Sequence, residues 1–313
     1  MIQVSQISSQ LQDLRTYGVR GILSTGSWQL DNHVKLKKGY PWFIGGQPHS
    51  GKTEVAMELL LKWSKLYGWK HYCYFGEGGD VHEIVADLCA KFTGKSFVIG
   101  GHNSMSESER AYAEQFISEH FYFADPDKDF SYESFILNVE VAERELGIKF
   151  DTTLIDPFND LDYDLTKYPN ITYWLKDVLK SVRVNSKKNK RVDIIVVHVA
   201  DVPAVKHPET GMMYHPPALP SQWEGGKIWW RRAFVMVLVY KNYNGHTELY
   251  IQKAKPKSVK MYPDDRQLIC TWEWQWKENR YYENAGGERL AILSDKMKPY
   301  KPTVTQPEEE PPF

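Results

Sequence analysis

Residues 46 to 53 read Gly46-Gln47-Pro48-His49-Ser50-Gly51-Lys52-Thr53, a complete G-x-x-x-x-G-K-T sequence. Each part has a chemical task toward a triphosphate. The glycines let backbone N–H groups turn inward around phosphate oxygens, and Lys52 brings a positive charge to the β- and γ-phosphates. The Thr53 hydroxyl suits Mg²⁺, a hard cation that takes oxygen ligands. The flanks agree: Trp42-Phe43-Ile44 is an apolar run of buried-strand type, and residues 53–61 have a helical pattern. The phosphates would therefore meet a helix N-terminus. A chance match in a glycine-containing turn is the competing reading, and it leaves the strand before and the helix after unexplained. A nucleoside triphosphate with Mg²⁺ is the expected ligand.

A phosphate loop alone hydrolyses nothing, so the other polar residues at strand ends matter. Leu154-Ile155-Asp156 ends an apolar run with an acid that could hold Mg²⁺ through water. Alternatively, Asp156 merely caps the turn that Asp156-Pro157 favours. Glu77 follows the run 72–75 in Gly76-Glu77-Gly78-Gly79, where a carboxylate can orient and deprotonate the water attacking a γ-phosphate. A solvated loop glutamate is the plainer alternative. His198 ends Ile194-Ile195-Val196-Val197 and could sense the γ-phosphate, although a strand-end histidine is often structural.

These residues need elements to hold them. With 313 residues, the chain suits one large α/β domain or two small ones. A net charge of −1 advertises no global basic field, so any nucleic-acid site must be a local patch. Cys73, Cys89 and Cys270 are far apart and form neither a disulfide framework nor a zinc pattern, which suits a reducing cytosol. No apolar run approaches the roughly 20 residues of a membrane span, and no signal peptide opens the chain. The many Trp and Tyr residues after 220 are expected mainly as packed strand residues.

The spacing predicts a short amphipathic helix over 6–17, with Ile7, Leu11 and Leu14 on one face. Lys37-Lys38-Gly39 turns into the first strand. Strands over 71–75, 121–123, 152–155 and 193–198 alternate with helices over 81–90 (capped by Asp80), 107–120, 132–146 (capped by Ser131) and 173–186. That rhythm predicts a mostly parallel sheet covered on both faces. From residue 234 the pattern becomes strand-rich: 234–240, 248–254, 268–276 and 280–283, with turns such as Asn244-Gly245. Residues 298–313 are Pro-rich and acidic and are expected to be disordered. The expected division is a linker-helix region over 1–24, a single α/β domain over 25–297, and the tail.

Together these motifs resemble the hexameric RecA-fold replicative helicases, the DnaB, Twinkle and phage primase-helicase group. The resemblance runs over most of the chain. It is carried by Thr25-Gly26 with Leu30-Asp31, the phosphate loop, Glu77, Leu154-Ile155-Asp156-Pro157-Phe158-Asn159 and Val196-Val197-His198. It continues in Gly225-Gly226-Lys227-Ile228-Trp229-Trp230 and Gln252-Lys253-Ala254-Lys255. The resemblance implies a RecA-like core assembling as a homo-hexameric ring in a bacterial or phage-infected cytoplasm, with ATP at each subunit interface. Glu77 would be the base, His198 the switch that couples phosphate sensing to DNA loops, and Lys253 and Lys255 would complete the neighbour's site. The first helix would dock on a neighbouring subunit. No primase or zinc-binding segment is seen, so a motor without the primer-making half is expected.

Two departures from the family pattern stand out. Relatives carry Lys-x-Arg where this chain has Lys253-Ala254-Lys255, and lysine lacks the planar bidentate contact of guanidinium. Arg231 and Arg232 are possible substitutes. Relatives also tend to place an acid just before the strand that begins here near Phe234. The first implies slower turnover or another donor, and the second assigns no role by itself but leaves a weakened ATPase open.

For single-stranded DNA, the segment 200–228 and its continuation offer Lys206, His207, His215, Lys227, Arg231 and Arg232, interleaved with Tyr214, Trp223, Trp229 and Trp230. Basic groups with stacking rings suit binding without sequence preference, though Trp229 and Trp230 could equally be core. Glu308-Glu309-Glu310-Pro311-Pro312-Phe313 resembles the acidic tip of bacterial single-strand-binding proteins and the tails of phage primase-helicases. It suits a replisome partner with a basic rim and an apolar floor, or else is simply a solvated tail. The expected function is an ATP-dependent helicase or translocase. A RecA- or RadA-like filament ATPase and a low-turnover DNA clamp or loader are the alternatives.

Overall fold

The computed structural model describes residues 3–128, 130–164, 166–208, 210–261 and 268–296. Alternating apolar runs and amphipathic stretches fold as a mixed sheet with helices on both faces. In chain order its strands are β1 (Trp42–Gly46), β2 (His71–Phe75), β3 (Phe121–Phe123), β4 (Thr152–Asp156) and β5 (Val192–His198). They continue with β6 (Val235–Lys241), β7 (Thr247–Ala254), β8 (Leu268–Gln275), β9 (Arg280–Ala285) and β10 (Glu288–Ala291). The spatial order is β10-β9-β8-β7-β6-β1-β5-β4-β2-β3. From β6 through β3 all neighbours are parallel, and from β6 back to β10 all are antiparallel.

The helices are α1 (Ser8–Tyr17), α2 (Trp28–Asp31), α3 (Lys52–Tyr67), α4 (Val81–Thr93), α5 (Glu107–His120), α6 (Tyr132–Leu146), α7 (Ile171–Asn189) and α8 (Ile228–Arg232). Successive strand residues point to opposite faces, and the core divides accordingly. Trp42, Ile44, Leu154, Ile194 and Val196 pack with Leu59, Leu88 and Ile117 of α3, α4 and α5. Phe43, Ile155, Ile195 and Val197 pack with Phe135, Val178 and Trp229 of α6, α7 and α8. Each such side chain contributes roughly 1.5–3 kcal/mol by leaving water. The double coverage is why these strands read as unbroken apolar runs.

Local chemistry sets the element ends, with some departures from expectation. Helix α7 starts at Ile171, ahead of the expected 173, because the Asn170 side chain accepts the N–H groups of Thr172 and Tyr173. Ser131 caps α6 as expected, accepting from Ser134 N. Asp80 occupies the N-cap position of α4, but its side chain makes no capping bond and faces the His82 ring at 3.7 Å. Helix α1 exists, yet no residue between 3 and 20 is buried. The Thr25-Gly26…Leu30-Asp31 motif is a clasp: buried Asp31 accepts from Thr25 N at 2.6 Å and pairs with Lys35 at 3.1 Å. Glu283 of β9 accepts from Ser27 Oγ, Trp28 N and Gln29 N, fixing this segment to the sheet. Among the described residues, no helix is long and apolar enough to cross a membrane. Cys73, Cys89 and Cys270 are free and buried. The tail, including Glu308–Phe313, lies outside the described residues.

Candidate nucleotide site

Parallel pairing in register brings the carboxyl ends of β1, β5, β4 and β2 to one edge. Gly46 pairs with His198, Ile155 with Ile195, and Phe75 with Asp156. At that edge the chain leaves β1 through Gln47, Pro48, His49 and Ser50 and enters α3 at Lys52, with Gly51 at φ 89° as the N-cap. A side chain at 51 would be strained, and its Cβ would stand 2.8 Å from Tyr281 Oη, so β9 forms a floor under the loop. Gly46 is equally enclosed, since a Cβ there would clash with Ser50 Oγ.

The Lys52 ammonium is buried and donates to the Gln47 carbonyl at 2.9 Å. Burial lowers its pKa, and the charges of Asp156 and then Glu77 oppose that shift. Asp156 is buried at the end of β4, and desolvation pushes its carboxyl up to about 6. A hydrogen bond from Thr53 and the Lys52 charge work against that rise, while Glu77 and Asp160 add to it. The structure thus places Lys52, Thr53, Asp156 and Glu77 within electrostatic reach of one another. Glu77 is exposed, with Oε2 3.4 Å from His198 Nε2.

Asp156 Oδ2 and Ser50 Oγ are buried without a hydrogen-bond partner. Buried polar atoms are normally satisfied, and these two retain free accepting capacity toward a donor or, for the carboxylate, a cation. Oxygen donors from Thr53 and Asp156 fit Mg²⁺. That ion binds through one or two carboxylates plus substrate phosphates, and it needs no larger cluster of ligating side chains. No such cluster occurs among the described residues. Beside the loop, Gln47, Pro48, Asp201, Val202, Pro203 and His215 line a cleft of about 480 Å³.

Lys253 and Lys255 lie elsewhere. Lys253 pairs with Met236, which pairs with Phe43 near the start of β1. They therefore occupy the amino edge of the parallel strands, opposite the chain's own phosphate loop. Lys253 is buried, with Nζ on the Trp230 carbonyl. Burial, followed by the neighbouring Lys255 charge, brings its pKa down to about 8. Lys255 is exposed.

Of the DNA candidates, Lys206, Lys227, Arg231 and Arg232 are exposed, the arginines in the last turn of α8. Two of the rings expected to be available for stacking are not. Trp223 is buried against Gly45, where a Cβ would meet its ring at 2.5 Å, and Trp229 packs against Phe43 and Phe158. Trp230 is half-exposed. Asn159, Asp160 and Glu224 also gather at the site. The first two lie just past Asp156-Pro157-Phe158, a proximity that could have signalled them, whereas Glu224 is 65 residues from Asn159 and gave no local signal.

No protein-family model matches the chain. The Twinkle homolog protein, chloroplastic/mitochondrial, of Arabidopsis thaliana is 25% identical over 175 residues, covering 54% of this chain and 24% of the relative. The chain thus spans about a quarter of that relative's length. Among solved structures, one of an isolated ATPase domain superposes with a TM-score of 0.67 at 12% identity, covering 89% of this chain and 97% of that one. A DnaB-like replicative helicase, solved with its interactions with primase, superposes with a TM-score of 0.64 at 12% identity, covering 90% and 66%. In its RecA-like α/β fold, the chain resembles the helicase domains of the DnaB and Twinkle group.

Proposed function

We propose that the chain is an ATP-dependent DNA helicase or translocase that works on single-stranded DNA as a homo-hexameric ring. The observation that supports it most is the buried, unpartnered Asp156 Oδ2 beside Thr53 and Lys52, with Glu77 and His198 at the same sheet edge. In this reading Gly46 to Thr53 cradle the phosphates and Lys52 shifts from the Gln47 carbonyl to the β/γ-phosphate oxygens. Glu77 accepts a proton from the water attacking the γ-phosphorus, and the bond to the bridging oxygen of ADP breaks. His198 senses the γ-phosphate. Thr53 and Asp156 would hold Mg²⁺, which would supply positive charge against the charge developing in the transition state.

Lys253 and Lys255 serve the neighbour's nucleotide, and their position opposite the chain's own loop supports that role. Exposed α1 docks on an adjacent copy, and Lys206, Lys227, Arg231 and Arg232 face the DNA phosphates. A phage or bacterial cytoplasm is the proposed setting. The tail engages a polymerase, primase or other replisome partner. Deleting Pro311 to Phe313 should weaken capture of that partner while sparing ATP hydrolysis, and unchanged capture in a pull-down would remove this part.

Lysine at 255, with Lys253 tied to the Trp230 carbonyl, supports a second reading: a low-turnover ATP-binding clamp or loader. A DNA-stimulated ATPase assay coupled to strand displacement on a forked duplex separates the two. Filaments instead of rings in electron micrographs would favour a RecA- or RadA-like recombination ATPase.

A further inference from the structure

Asn159 joins the mouth of the nucleotide site to the segment that carries α8. It sits in the 3-10 turn Phe158–Asp160 just after β4. Its Oδ1 accepts the backbone N–H of His198 at 2.9 Å, and its Nδ2 donates to the Glu224 carboxylate. The partners fix the amide's orientation, because a backbone N–H only donates and an ionised carboxylate only accepts. An amide offers the two capacities on separate atoms of one planar group, so it can span two partners at once.

Glu224 is anchored on its other sides. Its N–H donates to the His198 carbonyl at 3.2 Å, and its own carbonyl accepts from Trp229 Nε1. Trp229 is a buried residue of α8, the helix that carries Arg231 and Arg232. On the nucleotide side His198 faces Glu77. The contacts therefore run Glu77–His198–Asn159–Glu224–Trp229.

We propose that Asn159 is a positioning residue that couples occupancy of the nucleotide site to α8 and the preceding 200–228 segment. A shift of His198 as the γ-phosphate arrives or leaves is passed through the amide to Glu224. This rests on the nucleotide reading above. Asn159 and Glu224 are both exposed, so the bridge contributes little to fold stability, and its effect lies in the coupling.

The test reverses the hydrogen bond. Asn159→Asp keeps an acceptor for His198 but cannot donate to Glu224, whereas Glu224→Gln alone still accepts from Asn159. Combining the two substitutions restores a bond with donor and acceptor exchanged. Amide hydrogen exchange over residues 222–232 is read with and without a non-hydrolysable ATP analogue and Mg²⁺, with analogue affinity measured on the same samples. Wild type and E224Q should show protection on binding. N159D should lose about fivefold of it at full analogue occupancy, and the double variant should regain it. Unchanged protection in N159D, or no recovery in the double variant, overturns the proposal. A wild type that binds the analogue without a response over 222–232 overturns it as well. A wild type that does not bind the analogue overturns the nucleotide reading itself, and the coupling with it.

Discussion

Glu77 Oε2 and His198 Nε2 approach to 3.4 Å although their strands, β2 and β5, are separated by β4. The carboxylate that would take a proton from water and the imidazole that would sense phosphate thus meet across an intervening strand.

Glu77→Gln removes the base but keeps the side chain's shape. Binding of a fluorescent ATP analogue should be retained, while phosphate release falls by at least about 10²-fold, the ordinary contribution of a general base. Retained turnover would remove Glu77 from that role.

Asp156 gives a prediction with a sign. Its folded pKa of about 6 lies above the ordinary 3.8, so the folded chain holds this proton more tightly than the unfolded one. The stabilisation from this group is present at low pH and is lost as pH rises through about 6. At pH 7, without Mg²⁺, Asp156→Asn should stabilise the chain by on the order of 1–3 kcal/mol. The same variant should lose the added thermal stability that Mg²⁺–nucleotide gives the wild type. Thermal unfolding with and without Mg²⁺–nucleotide checks both halves, and a destabilised metal-free variant would contradict the first.

Lys255→Arg restores a planar guanidinium at the position argued to reach a neighbouring copy. Turnover at saturating ATP and DNA should rise by about tenfold, with ATP affinity unchanged, a modest part of what an arginine finger contributes elsewhere. Steady-state phosphate release against ATP concentration provides the measurement. A changed KM with constant kcat would point to binding in place of catalysis.

Arg231→Ala and Arg232→Ala should each flatten the salt dependence of single-stranded DNA binding. Each lost phosphate contact lowers the log–log slope by about 0.7, independent of sequence. Anisotropy titrations of oligo(dT) across a salt series read it, and slopes equal to wild type would place α8 away from the DNA.

Much of the sheet was legible because its strands are covered twice. Continuous runs such as Ile194 to Val197 have few other ways to be satisfied, and their alternation with amphipathic helices fixes a parallel core. The phosphate loop was legible because its glycines and lysine are consecutive. Helices α2 and α8 were not, since four or five residues are too few to show a 3.6-residue period. Strand β10 follows its partner after the tight turn at Gly286-Gly287, and its sequence Glu288-Arg289-Leu290-Ala291 has little β character. Aromatic residues beyond 220 divide by burial in a way composition does not show: Trp272 and Trp229 are core, Trp276 is exposed. Contacts such as Asn159 to Glu224 or Tyr281 to Gly51 join residues far apart in the chain, and only the closed fold reveals them.

If Lys253 and Lys255 serve a neighbour's nucleotide, as proposed, the register that sets Lys253 level with Phe43, away from Gly46, constrains the assembly. A pocket that uses both sheet edges must be shared head to tail, so two unlike surfaces meet at every junction. Repeating such a junction with pure rotation closes a circle, and adding any rise per copy winds an open spiral. The same lysines could therefore serve either assembly, and dilution below the association threshold would silence both.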